Sequence, residues 1–324
     1  MVMDSAGGAR ERRSVKRFPV RTVVCVIVLV AFALWVVQNH HTVQQGFERV
    51  LGAEPSWLAV ACATTVLTWV AAACARQGSV VEQLPPVRLL ATQFAAGSAN
   101  HILPSGFGAG AVNLRFMTVC GIPLARSSAA LALYLLAESV GRVTLLVVLF
   151  AVFPHALPLA QLLPDGVGLP LSVGAGVLAL AVVLALVCVR RLREIMAKFL
   201  RTALSEARSL HARPSRVLAL WGGSLAFPAL QAAGLVAVGM SLHVPVEPMY
   251  LVVGYLAATV AVALVPTPGG VGSVDAALVV VLITAGAPPA TATAVVLAFR
   301  LISAWLPLLP GVVTLGMLVR YKVL

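Results

Sequence analysis

Charge is scarce in this 324-residue chain. Asp, Glu, Lys and Arg together make up 10% of it, against about a quarter in a soluble globular domain. That balance excludes an ordinary soluble protein. Cysteine is sparse and scattered. Cys25, Cys62, Cys74, Cys120 and Cys188 are odd in number, form no C-x-x-C and mostly sit in apolar runs. They support neither a disulfide framework nor a zinc site, and each reads as a small buried hydrophobe. The 11 acids form no D-x-D or D-x-x-D pair, which argues against a metal-dependent transferase. There is no G-x-x-x-x-G-K-S/T loop, so ATP would have to act through a partner. No nucleic-acid-binding module is present. No cofactor is called for, and no metal ligand or catalytic residue is assigned.

What the chain has is apolar length. Hydrophobic residues make up 60% and the mean hydropathy is +0.99. The apolar runs recur at about the 20 residues needed to cross a hydrocarbon core. Spans are expected at 22–38, 58–75, 127–153, 169–189, 217–240, 249–265 and 292–319. The first is retained, because no A-x-A-type cleavage site follows it. The net charge of +12 is clustered beside these spans. Six basic residues fall before residue 22 and eight lie at 190–216. Such clusters mark the cytoplasmic side and favour anionic headgroups. The chain therefore divides into a basic tail (1–21), a first transmembrane half (22–189), a basic linker (190–216) and a second half (217–324), with both termini cytoplasmic in the cell membrane. Within the linker, Leu192, Ile195, Met196, Phe199, Leu200, Ala203 and Leu204 make one apolar helical face, the pattern of an interfacial helix.

A glycine-rich decapeptide occurs twice. "PSGFGAGAVN" starts at Pro104 and "PTPGGVGSVD" at Pro266, half the chain apart. Each is followed by a short apolar run and a G-x-P corner, at Gly121 with Pro123 and at Gly286 with Pro288. The first is approached from the cytoplasmic side and the second from outside. The expected fold is thus an all-α polytopic membrane protein with an inverted-topology repeat, about six full spans and two broken or re-entrant hairpins. In such folds the substrate lies near the midplane at the interrupted helices. Broken backbone is tolerated there only where it is buried or lines a cavity, and amides at a helix start favour an anionic group.

Charged side chains at membrane depth are a second signal. Glu138 and Arg142 stand at i, i+4 in an apolar run, and Arg300 lies inside the last one. Arg115 and Asp275 follow the two motifs. Glu138 and Arg142 read either as a structural pair or as site residues. Asp275 reads either as a first-turn acid behind an N-cap at Ser273 or as a partner of Arg300. His101 beside Asn100 reads as a polar partner to broken backbone. The candidate substrate-binding residues are Asn100, Pro104, Gly108, Gly110, Arg115, Glu138, Arg142, Pro266, Gly269, Gly270, Gly272, Asp275 and Arg300.

At "PTPGGVGSVDAALVVVLITAGAPPATATAVVLAFRLISAWLPLLPG" the chain resembles the transmembrane region of lysylphosphatidylglycerol synthases, the flippase-like integral membrane proteins. Pro266, Pro268, Gly269, Gly270, Gly272, Gly286 and Arg300 match that pattern; the family acid is typically Glu, and Asp275 keeps the charge with a shorter reach. "NHILPSGFGAG" resembles the first family motif through Asn100, Pro104, Gly108 and Gly110, with Gly121 beyond it. The resemblance implies translocation or handling of a lipid with a phosphate-bearing headgroup. It does not imply synthase activity, since the chain stops at Leu324 without the aminoacyl-transfer domain. The partners it implies are an anionic or lipid-linked membrane lipid and, as a further option, a partner enzyme. A small-solute or ion transporter, or a membrane enzyme or subunit of lipid-linked glycan synthesis, are the alternatives.

Overall fold

The computed structural model describes residues 51–102, 108–153, 213–262 and 272–320. The expected spans at 22–38 and 169–189 and the linker's apolar face lie outside these residues. Every described element is helical, and no strand occurs among the described residues. The first half supplies α1 (Pro55–Gly78), α2 (Pro86–Ile102), α3 (Gly108–Val119) and α4 (Leu124–Val152). The second half supplies α5 (Pro214–Ser241), α6 (Pro248–Val262), α7 (Ser273–Thr284) and α8 (Pro289–Arg300). A π-helical turn (Leu301–Trp305) then leads into α9 (Leu306–Arg320).

Proline sets many of these starts. Helices α1, α2, α5, α6 and α8 each begin on one, at the position where a missing N–H costs nothing. For this reason α5 starts at Pro214, inside the segment that charge alone assigns to the linker. Arg216 then donates to the carbonyl of Gln77 (2.9 Å), which the end of α1 leaves without a helical partner, and to that of Val81 (3.2 Å) in the loop beyond it.

Among the described residues, four helical stretches are long and apolar enough to cross a membrane: Pro55–Gly78, Leu124–Leu149, Pro214–Ser241 and Pro289–Leu318. The chain is a polytopic helical membrane protein. Helices α3 and α7 have 12 residues each, about 18 Å, well short of a hydrocarbon core. Both end in the same corner. Gly121 and Gly286 have φ of 87° and 98°, a region open to glycine at little steric penalty. Ile122 N–H bonds to Met117 O (3.1 Å) and Ala287 N–H to Leu282 O (2.9 Å), the bond that closes a Schellman cap. Pro123 and Pro288 then cap the next helices with matching dihedrals.

The π turn has an equally local cause. Pro307 follows it, and proline cannot donate to the carbonyl four residues back. The turn widens, and Leu306 N–H bonds to Leu301 O instead.

Helix α1 lies on α5 through small residues. A side chain on Gly223 would meet Ala71 O at 2.6 Å and Ala75 N at 2.7 Å, and one on Gly78 would meet Leu220 N at 2.2 Å. Backbone contact of this kind is how helices associate where water supplies no hydrophobic drive. Around this crossing, α2 packs on α9 and α4 packs on both α5 and α6. One apolar cluster fills the space among α5–α8, including Leu235, Tyr255, Leu278 and Phe299. A second joins Leu89, Phe116, Met117 and Ile122 in the first half. Cys74 and Cys120, expected to be buried, are exposed. Cys74 lies on a spanning helix, which gains nothing by hiding a small apolar side chain from lipid, and Cys120 lies in the turn that ends α3.

Candidate functional site

The site begins at the start of α7. Gly272, with φ 87°, is the N-cap, and its N–H donates to Asp275 Oδ2 at 2.9 Å. Ser273, expected to be the cap, is instead the first helical residue. The chain enters α7 through a left-handed residue, which glycine adopts and serine resists. The other Asp275 oxygen, Oδ1, accepts from Arg300 Nε. Both readings of Asp275 therefore hold together: it closes the first turn of α7 and pairs with the arginine at the end of α8. The pair is nearly sealed, with side-chain exposures of 9% and 15%. His101, in the last turn of α2, lies within the field of Arg300. Arg300 thus pairs with the start of the helix after the second glycine motif, and its field reaches the end of the helix before the first.

A second pair sits on α4. Glu138 is the middle residue of that helix, and its Oε1 accepts from Arg142 Nη2 at 2.9 Å. One turn earlier, Tyr134 is within hydrogen-bonding reach of Glu138. Arg76 of α1 lies over the Tyr134 ring, 3.7 Å from its centre. Its charge is also felt by Glu138. A guanidinium on an aromatic face contributes about 2 kcal/mol when desolvated.

The two pairs are neighbours. Tyr255 of α6 is buried, edge-on to Phe299 at 5.7 Å. Its phenol lies within the fields of Arg142, Arg300 and Glu138. Glu138, Arg142 and Arg300 thus all act on one buried tyrosine, and Asp275 joins that group through Arg300. Asn100 is half-buried near the end of α2. Gly108 is pressed against α2, where a Cβ would lie 2.1 Å from Ala99 O, and Gly110 faces Leu131 with ordinary room. Arg115 stands exposed on α3. Pro104, Pro266, Gly269 and Gly270 lie outside the described residues.

Several polar residues went unread in the sequence. Tyr134 precedes Glu138 and Arg142 at the same helical spacing, a signal that was there to find. Arg76 ends an apolar run and looked like a flank, yet it is 3% exposed. Asn113 is buried; its amide donates to Ala109 O and its oxygen accepts from Gln93 Nε2 at 3.0 Å. Among the described residues no group of three or more His, Cys, Asp or Glu side chains could hold a metal ion.

The arrangement supplies guanidiniums, carboxylates and phenols in a helical membrane body. Such groups suit the recognition of charged headgroups. Comparison with curated proteins gives no match. A family model does match, over residues 23–311. The chain belongs to the family described as the lysylphosphatidylglycerol synthase TM region.

Proposed function

We propose that this protein translocates, or hands on, a lipid or lipid-linked amphiphile with a phosphate-bearing headgroup, and that it does so without chemistry of its own. The observation that carries this reading is the convergence of two intramembrane ion pairs, Glu138–Arg142 and Asp275–Arg300, around Tyr255. Family membership supports lipid handling. The arginines would hold the phosphate, the acids would balance charge or select a cationic moiety, and the acyl chains would stay in lipid. Its place would be the cell membrane, with both termini cytoplasmic. A partner enzyme could supply or remove the lipid.

An inverted repeat underlies this reading, and the packing supports it. When α1 is exchanged with α5, α2 with α6, α3 with α7 and α4 with the run from α8 to α9, each observed contact maps onto another. The α2–α9 contact maps onto α6–α4, α4–α5 onto the π turn against α1, and α5–α8 onto α1–α4. The α1–α5 crossing maps onto itself. Alternating access in such folds is a rocking of one half against the other around a fixed site.

The test is headgroup translocation of fluorescent phosphatidylglycerol in proteoliposomes. The wild-type chain should speed it over protein-free vesicles. Asp275→Asn, Arg300→Gln and their combination should all be folded and slow. A double variant that is folded and active while both singles are inactive would make the pair structural and the site assignment wrong.

A further inference from the structure

Four buried side-chain atoms among the described residues have no hydrogen-bond partner: Arg76 Nε, Arg76 Nη1, Arg142 Nε and Ser224 Oγ. They belong to three helices that meet at one place. Gly223 of α5 touches the backbone of Ala71 and Ala75 in α1, and Gly141 of α4 touches the Ser224 carbonyl. Arg76 and Ser224 are therefore next in sequence to residues at the α1–α5 crossing. Arg142 follows the glycine at the α4–α5 crossing. Tyr134 lies under Arg76 and within the field of Arg142.

The chemistry of these atoms is one-sided. Three are N–H donors on cations, and the fourth is a hydroxyl. Leaving such a group without an acceptor in a buried place costs about 1–3 kcal/mol, and more when it is charged. Ser224 is unusual among the helical hydroxyls. Thr65, Thr68, Ser128, Ser139 and Thr259 all donate to a carbonyl three or four residues back. Ser224 does not. Two guanidiniums and one carboxylate leave the junction with one net positive charge. It calls for an acceptor-rich group carrying one negative charge.

We propose that the junction of α1, α4 and α5 is a binding site for a singly charged oxyanion, held by Arg76, Arg142 and Ser224. A phospholipid phosphodiester and a free phosphate monoanion share this chemistry. The donors are closed off from the surface, so the anion reaches them when α1 and α5 part. The site deepens the lipid-handling reading and rests on it only for the source of the anion.

Binding can be tested apart from transport. The full chain in detergent, supplied with phosphatidylglycerol, should retain one lipid by native mass spectrometry. Loss of one charged contact should lower occupancy about tenfold in Arg76→Gln, and less in Ser224→Ala. Arg126→Gln, at the exposed pair with Glu82, should retain the lipid. In a second arm, inorganic phosphate is titrated against lipid-free protein and Tm is followed. A rise that depends on Arg76, without lipid retention, would identify a free phosphate as the occupant. Arg76→Met covers the case in which Arg76→Gln does not fold, since it removes the buried cation and keeps the apolar stem. Lipid occupancy and phosphate response equal to wild type in Arg76→Met would leave the donors to water and overturn the site. A wild-type chain that translocates lipid but retains none, and shows no phosphate response, would remove this site and spare the translocation reading. A wild-type chain that retains lipid through Arg76 without translocating it would do the reverse.

Discussion

Asn113 and Asp275 hold the same place in the two glycine-rich decapeptides, yet they stand three residues apart in the helices that follow. Asn113 is the sixth residue of α3 and Asp275 the third of α7. Asp275 is close enough to the helix start to accept from the Gly272 amide. Asn113 lies a turn further in and reaches back to Ala109 O. The outward partners differ too. Asn113 is bound by Gln93 on the preceding helix, whereas Asp275 binds Arg300 on the following one. One motif position therefore makes a neutral hairpin clasp in the first half and an ion pair in the second.

The ion pair should behave as a unit in stability. Removing one partner of a buried pair leaves an unpaired charge, at a cost of about 3–5 kcal/mol, whereas removing both is much milder. Arg300→Gln should be the more stable of the two single variants only if another cation takes over Asp275. In thermal or denaturant unfolding in detergent, both singles should fall well below wild type. The double Asp275→Asn/Arg300→Gln should recover a large part of the loss. Additive losses would show that the two side chains do not compensate each other.

The Gln93–Asn113 clasp predicts a smaller coupling. Interhelical hydrogen bonds in membranes contribute about 0.6–2 kcal/mol. Gln93→Ala and Asn113→Ala should each destabilise the protein by about 1 kcal/mol or somewhat more, since each leaves a buried amide short of a partner. The double variant should lose less than the sum of the two. A double-mutant cycle with no coupling would mean that the two amides find other partners once separated.

Two glycines in the first motif should respond oppositely to alanine. At Gly108 a Cβ would sit 2.1 Å from Ala99 O and 2.4 Å from its carbonyl carbon. Backbone cannot step aside there, so Gly108→Ala should lower stability by at least about 1–3 kcal/mol. At Gly110 the nearest atom is Leu131 Cδ2 at 3.7 Å. Gly110→Ala should be neutral or stabilising, because alanine gains up to about 1 kcal/mol over glycine inside a helix. Unfolding midpoints of the two variants give the answer. The close approach at Gly108 is of α2 against α3, so a Gly108→Leu variant would lose function through the hairpin's own packing.

The described spans, the corners and the Glu138–Arg142 pair were legible in the sequence because each has a local cause, whereas Asp275 and Arg300, 25 residues apart, could be offered as partners only as one of two readings. An apolar run long enough to cross, a G-x-P with its left-handed glycine, and two charges at i, i+4 require no knowledge of distant chain. Repeat spacing was harder. From the motif to the next corner glycine the two copies differ by three residues, which looks like a slip in the repeat. The structure places it inside the decapeptide. Helices α3 and α7 have equal length and reach their corners in the same way, so the difference lies in where each helix begins. Arg76 and Ser224 were illegible for another reason. Their importance comes from which helices cross, and no periodicity in α1 or α5 reports that.

The matched corners also offer a test of orientation that uses residues already in place. The Lys/Arg bias puts the start of α4 on the cytoplasmic side, and the inverted repeat puts the start of α8 outside. Cys120 is exposed at the first corner. Thr284 is exposed at the second and can be replaced by cysteine. With the other cysteines removed, an impermeant thiol reagent applied to intact cells should spare Cys120 and label a Thr284→Cys variant that also carries Cys120→Ser. Permeabilising the cells should expose both positions. The two corners have the same Schellman closure and a proline two residues after the glycine, so their local reactivity is comparable and the side of the membrane is the main difference between them. Labelling of both corners from outside would place the two hairpins in the same orientation. The chain would then be a parallel repeat, and rocking of inverted halves around Tyr255 would have no structural basis.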